Sequence, residues 1–370
     1  MPAPDSARQA RRGFLQSLAS AGGIGAVALL TGWPADADAL PAKALAFPRD
    51  RGAHPDFRTE WWYITGQAMA GNRAFGFQLT FFRSRVEATQ SMASAFAAKQ
   101  LLFAHAAVTD VQGGKLWHDQ RIARAGFGVA EASEEDMAVR LRDWSLQVDA
   151  ARPDRYTALL PAAGFGLDLA FAETQPMLLQ GNNGLSRKGP EEAQASYYYS
   201  QPQLAARGVI SLGAERFDIT GKAWLDHEWS RELLHPKATG WDWIGMNLDD
   251  GSALTAFHLR DKAGGALWDG GSFRPAKGKA SIFQRGDVAF QPVRTWTSPL
   301  TQTSYPVEWL VRTPAGTYTV RAVIDNQELD SRQSTGAIYW EGLSDLIDSQ
   351  GQRVGRGYLE MTGYASPLRL

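Results

Sequence analysis

The sequence predicts an all-β fold made of two related β domains, and three observations support this. Short runs rich in Phe, Tyr, Trp, Val and Thr are separated at brief intervals by Gly, Asn and Asp turns, the spacing of a sandwich or barrel. Few segments hold a 3.6-residue apolar period. An aromatic stretch at 60–79, "EWWYITGQAMAGNRAFGFQL", also recurs without a gap at 240–259 as "GWDWIGMNLDDGSALTAFHL", the mark of an internal repeat.

Taken in chain order, the first 39 residues read as a leader rather than as fold. Arg11-Arg12-Gly13-Phe14-Leu15 is a twin-arginine signature, followed by a weakly apolar Ala/Gly/Leu stretch to about Leu30. That stretch is too short and too rich in small residues for a good membrane anchor. Ala37-Asp38-Ala39 is an A-x-A cleavage site, so the mature chain is expected to start near Leu40, in the periplasm or secreted. The sequence has no cysteine. Disulfides, thiolate nucleophiles, Cys-ligated metals and a lipid-bearing Cys are therefore excluded.

Trp61–Gly66, Phe75–Phe82, Leu101–Val108, Tyr318–Ile324 and Gly357–Tyr364 read as strands. Residues 86–100 and 230–236 are the expected helical insertions. In the repeat, Trp61 aligns with Trp241, Tyr63 with Trp243, Gly71 with Gly251 and Phe77 with Phe257. Each copy reads as strand, Gly-containing turn, strand, which is a hairpin. The expected domains are 40–222 and 223–370, with the boundary in the region 215–235.

Composition narrows the function. A formal net charge of −1 over 370 residues argues against a nucleic-acid binder. Thirteen Trp, ten Tyr and seventeen Phe suit β-rich cores and apolar pockets alike. No G-x-S-x-G, P-loop or G-x-G-x-x-G motif occurs, so neither an α/β-hydrolase nucleophile nor a nucleotide site is expected.

The densest polar cluster is Asp226-His227-Glu228-Trp229 in "GKAWLDHEWS". His227 lacks a second His four residues on, as a zincin helix requires, and the next is His235. A metal held by His227, Glu228 and His235 is the weaker use of these residues, and no metal or cofactor is expected. General acid–base chemistry suits them better. A carboxyl beside indoles loses solvation and its pKa rises, a His can relay the proton, and indole faces stabilise a developing cation. Such parts fit protonation of a carbon–carbon double bond followed by capture of water. The same alternation also fits a strand whose His is satisfied by hydrogen bonds and whose acids face solvent. Glu60, Trp61, Trp62, Tyr63, His105, Trp241, Trp243 and His258 are polar or aromatic residues of the same strands. They are candidate ligand-binding residues if they converge on one cavity.

Long stretches carry a family resemblance: "FPRDRGAHPDFRTEWWYITG" (47–66), "LLFAHAAVTD" (101–110), "SYYYSQP" (196–202), "AWLDHEWS" (223–230), "GWDWIGMNL" (240–248) and "YWEG…GRGYLEMTGY" (339–364). They resemble the AttH-like, lipocalin-like secreted proteins, which are related to hydroxyneurosporene synthase, the carotenoid 1,2-hydratase. The resemblance implies two tandem lipocalin-like β-barrel domains packed together. It implies a His-x-Trp pair at His227-Glu228-Trp229, near an acid that protonates an isoprenoid double bond. The family's downstream Tyr-x-Asp would fall near 254–259, where this chain reads Leu-Thr-Ala-Phe-His-Leu. Any acid chemistry would then rest on Asp226 and Glu228. Three expectations follow: a binder of an apolar lipid- or isoprenoid-like ligand, a cofactor-free hydratase or hydrolase, and a periplasmic accessory of an ABC transporter.

Overall fold

The computed structural model describes residues 39–232 and 234–368. Residues 1–38, with the twin-arginine motif and most of the expected cleavage site, lie outside the described residues. Among those described, no helix is long and apolar enough to cross a membrane.

The strands of the first sheet are β1 (Thr59–Ala70), β2 (Arg73–Arg85), β3 (Gln100–Asp110), β4 (Lys115–Arg124), β5 (Ala130–Ala132), β6 (Ala138–Leu141) and β7 (Trp144–Asp149). It continues with β8 (Arg152–Ala162), β9 (Phe165–Ala172), β10 (Leu178–Leu179), β11 (Leu185–Arg187), β12 (Ala195–Leu212) and β13 (Glu215–Glu232). The second sheet holds β14 (Gly240–Leu248), β15 (Ala253–Arg260), β16 (Ala266–Arg274), β17 (Ser281–Phe283) and β18 (Ala289–Thr297). Its remaining strands are β19 (Ser304–Thr313), β20 (Gly316–Ala322), β21 (Glu328–Ser331), β22 (Ala337–Ile347) and β23 (Arg353–Met361).

Strand order is β4-β3-β2-β1-β13-β12-β9-β8-β7-β6-β5 in the first sheet and β17-β16-β15-β14-β23-β22-β20-β19-β18 in the second. In both, the opening hairpin pairs with the last strand of its own sheet, so the two halves share one plan. The first sheet curls until its outer strands meet: the Arg121 guanidinium of β4 lies 4.5 Å from the Trp144 ring of β7. The fold is thus all-β and lipocalin-like, two curled sheets of which the first nearly closes into a barrel.

The repeated hairpins are β1–β2 and β14–β15. Ala70 pairs with Arg73 across a two-residue turn, whereas Leu248 and Ser252 close the second over three residues. Gly71 and Gly251 both take positive φ, 57° and 91°, as tight turns demand. A Cβ at Gly71 would meet nothing within 4 Å, so only backbone strain opposes a larger residue there. Gly71→Ala is expected to cost about 1 kcal/mol and Gly71→Asn less. Urea denaturation of the two variants should give that order.

Three expectations are corrected. The stretch 86–100 forms only a short 3-10 turn, Glu87–Thr89. Thr89 donates to the Val86 and Ala98 carbonyls and Gln90 to those of Val86 and Lys99. Phe96 stays 76% exposed, so a helix here would have no apolar face to bury. Residues 230–232 continue β13 and are followed by turns. Finally, β13 runs unbroken from Glu215 to Glu232 between β1 and β12, so 223–232 belong to the first barrel. The chain passes to the second sheet between Glu232 and Gly240, not at 222.

Alternation sorts the side chains. Trp62 and Ile64 of β1, Phe77, Leu79 and Phe81 of β2, and Leu225, His227 and Trp229 of β13 point into the first barrel, where all are buried. Residues of opposite parity, including Tyr63, Trp224, Trp243, Phe257, Leu259 and Tyr358, form a separate apolar cluster joining the two sheets. Trp243 stands edge-on to Tyr63, its counterpart in the repeat, at 5.5 Å. The copies therefore face each other across the seam between the barrels.

Candidate functional site

Along that seam lies a cavity of about 680 Å³, within the range of small-molecule sites. Trp61, Tyr63, Phe82 and Phe103 line it from the first sheet, and Trp241, Trp243, Phe257 and Leu259 from the second. Exposed residues at 335–336 and 366–367 border it.

Asp226 and Glu228 reach this cavity from one face of β13. Asp226 accepts three hydrogen bonds. Ser200 Oγ (2.5 Å) and Trp224 Nε1 (2.7 Å) donate to Oδ1, and Tyr198 Oη (2.8 Å) to Oδ2. Burial nevertheless pushes its pKa up to about 7, against those three hydrogen bonds. Glu228 accepts from Ser196 Oγ at 2.5 Å and pairs with Lys188 Nζ at 3.1 Å. The Lys188 ammonium also lies 4.6 Å from the Tyr198 ring and 4.3 Å from that of Phe257.

Two further acids face the same space. Glu341 of β22 and Glu360 of β23 are direct partners across their strands. Burial pushes Glu341 well above the carboxylate range, and the charge of Glu360 adds to it. Burial raises Glu360 to about 7, against a hydrogen bond from Trp241 and with repulsion from Asp226, Glu228 and Asp242. Trp241 Nε1 donates to Glu360 Oε2 at 3.1 Å. Glu341 Oε1 and the Tyr63 hydroxyl are buried beside each other and interact, but among the described residues neither has a partner at full hydrogen-bond geometry.

His105 completes one wall. Its Nδ1 is 2.7 Å from Tyr339 Oη and its Nε2 is 2.8 Å from Ser334 Oγ, a clasp between the sheets. Burial pulls its pKa down to about 3, so it stays neutral.

His227 and Trp229 point the other way, into the first barrel. His227 Nε2 lies 3.0 Å from Glu60 Oε1, and its ring stacks on Trp62 at 4.8 Å. Glu60 borders the cavity, but its carboxylate turns inward. Arg83 Nε (2.7 Å) and the His54 amide (2.8 Å) donate to Oε2, and His54 Nδ1 sits 2.7 Å from Oε1. Burial would raise Glu60, but hydrogen bonds from His227 and His54 outweigh it and hold the group well below its ordinary value. Burial lowers His227 to about 4. Asp50 lies 3.0 Å from His54 Nε2, and the Trp62 indole donates to the Arg51 carbonyl at 2.9 Å. The network thus ties the segment 40–57 to the barrel wall.

The acid–imidazole cluster seen in sequence is therefore two sites back to back. Asp226 and Glu228 belong to the cavity, with Trp61, Tyr63, His105, Trp241 and Trp243. His227, Trp229, Trp62 and the Glu60 carboxylate belong to the barrel interior. His258 is also turned away from the cavity, toward the second barrel's interior. There its Nε2 is 2.5 Å from Asp242 Oδ2 and its ring stacks on Phe290 at 4.7 Å.

The weighed metal set of His227, Glu228 and His235 is not assembled, because adjacent strand residues face opposite sides. A different trio, His54, Glu60 and His227, brings its ligand atoms within 4.8 Å of one another. Both ring nitrogens facing Glu60 already lie at hydrogen-bond distance from it. Glu341, Glu360, Tyr198, Tyr339 and Lys188 are cavity residues that the sequence reading did not single out. The available signal was a lone Glu in each of "YWEG" and "YLEM", sharing the parity of Tyr339 and Tyr358.

Two curled antiparallel sheets enclosing an acid-bearing aromatic cavity define a double-barrel lipocalin-like protein. The chain belongs to the AttH-like family, which it matches over residues 38–364. The crystal structure of an AttH protein from Nitrosomonas europaea is 47% identical, with a TM-score of 0.82, covering 88% of this chain and 99% of that one. Kievitone hydratase from Nectria haematococca shares the fold at 12% identity and a TM-score of 0.65, covering 88% and 97%. CghA does so at 14% identity and 0.52, covering 85% and 90%. No curated protein matches the chain.

Proposed function

We propose that the cavity takes up an apolar or amphipathic, unsaturated small molecule and adds water to one of its carbon–carbon double bonds without a cofactor. The observation behind this reading is the set of cavity carboxyls beside aromatic walls: burial raises Glu360 and Asp226 to about 7 and pushes Glu341 well above its ordinary value. A carboxylic acid that keeps its proton near neutrality can protonate an alkene carbon. The facing indoles then stabilise the cation through their quadrupoles. Water forms the new C–O bond, and its proton returns to the carboxylate, so the acid is restored. Glu360 is the preferred donor, because Asp226 is tied to three hydrogen-bond donors. The fold shared with a hydratase supports this reading, and export by the twin-arginine route would place the reaction in the periplasm or beyond.

The test starts with lipophilic compounds that copurify with the protein, identified by mass spectrometry and then incubated with it. A product heavier by one water is expected, with a rate that falls as pH rises past 7 because the acid form is lost. Glu360→Gln should lower the rate on the order of 10²–10⁴-fold while retaining the compound. If no hydrated product forms and retention is unchanged in Glu360→Gln and Asp226→Asn, the second reading stands. That reading is ligand binding alone, favoured by the nine Phe, Trp and Tyr side chains that line the cavity.

A further inference from the structure

Once ionised, the carboxyls of the cavity outnumber the cations that face them. Asp226 and Glu228 enter from β13, Glu341 from β22 and Glu360 from β23. The cation opposite them is Lys188, which is paired with Glu228. Arg83 borders the same space, but its guanidinium is held by Glu60, Gln100 and the carbonyls of His54 and Phe57. His105 of β3 is held neutral by burial. Other polar groups on these walls include the phenols of Tyr63, Tyr198 and Tyr339, the indole N–H groups of Trp241 and Trp243, and several Ser and Thr hydroxyls, none of which carries charge. At the Glu341–Glu360 end, one indole N–H serves Glu360, while Glu341 has the Tyr63 hydroxyl beside it but, among the described residues, no donor on Oε1 at full hydrogen-bond geometry. Trp61, Trp241 and Tyr63 also line this cavity.

We infer that this end of the cavity is a binding site for an organic cation, an alkylammonium group carried on an apolar body. The inference rests on reading the inter-barrel cavity as the functional site and adds the charge of its ligand. An ammonium supplies a well-aligned N–H donor for Glu341 Oε1 and positive charge for two adjacent carboxyls. The aromatic faces attract the same charge, and the apolar walls accept the tail. A site built this way would also favour the cation that forms when an alkene is protonated.

The direction with pH distinguishes this site from acid catalysis. An ammonium binds best to ionised carboxylates, so its affinity rises with pH through the region near 7, whereas the hydration rate falls there. The experiment is calorimetric titration with n-octylammonium, 1-octanol and octanoate, near pH 6 and near pH 8. Near pH 8 the ammonium should bind about tenfold more tightly than the alcohol, equivalent to about 1.4 kcal/mol, and octanoate more weakly than both. Ammonium affinity should drop several-fold near pH 6 with the alcohol unchanged. Glu341→Gln with Glu360→Gln should bring the ammonium down to the level of the alcohol.

Alcohol binding without an ammonium preference would overturn the cation site and leave the cavity reading standing. Ammonium binding that is unaffected by pH or by the double substitution would place the cation elsewhere and also overturn it. Failure of all three probes would count against both the cation site and the cavity.

Discussion

Glu60→Ala is expected to destabilise the protein by about 3–5 kcal/mol, the range for removing one partner from a buried charge pair. Glu60 is the hub of the first barrel's interior, receiving Arg83, the His54 amide, His54 Nδ1 and His227 Nε2. Its loss strands the Arg83 guanidinium, which is 2% exposed, and unties the segment 40–57. Glu60→Gln preserves shape but presents an NH₂ to groups that donate, and should fall between wild type and alanine. Denaturant unfolding followed by tryptophan fluorescence gives the order directly, because Trp62 and Trp229 stack on the neighbouring imidazoles. An alanine variant as stable as wild type would show that the network is not what holds the segment.

Glu360→Gln has the opposite sign: it should stabilise the protein near pH 8 and change little near pH 4. The ordinary value of Glu360 is 4.5 and its folded value about 7. Below 4.5 both folded and unfolded chains carry the proton, and ionisation sets no difference between them. Between 4.5 and 7 the unfolded chain releases its proton first, so wild-type stability is lost as pH rises through the folded value. Glutamine has no proton to lose and can still accept from Trp241. The full shift is worth about 3 kcal/mol; part of Glu360 remains open to the cavity, which reduces the gain to about 1–2 kcal/mol. His227, lowered to about 4, loses stability as pH falls from 6.5, but it does so in both proteins and cancels in the difference. Thermal unfolding across pH would show the two curves parting above about pH 5. Parallel curves would mean that Glu360 is not an uncompensated acid.

The all-β character and both hairpins are legible in sequence because period-2 patterning and turn glycines are local. The repeat is equally visible, since Trp61 and Trp241, or Gly71 and Gly251, keep their spacing along the chain. The site is less legible. Asp226 and Glu228 stand out only because they adjoin His227, and that adjacency misleads, since neighbours on a strand face opposite ways. Glu341 and Glu360 are 19 residues apart and meet only through strand pairing. Their raised pKa comes from burial against the other barrel, which is not written in either local motif. His258 shows the same limit in reverse. Its parity separates it from Phe257 and Leu259, but only the curl of the sheet makes that side the interior.

The two faces of β13 place an unusual demand on inheritance. One run of five residues, Leu225 to Trp229, supplies the anchor of one compartment and the acids of another, each taking alternate letters. Loss or gain of one codon there would exchange the two sets, putting His227 in the cavity and Asp226 in the barrel. Both compartments would fail together, although no residue type had been removed. Lineages of this protein should therefore tolerate length changes in the loop at 86–99 far more readily than anywhere between Gly221 and Ser230.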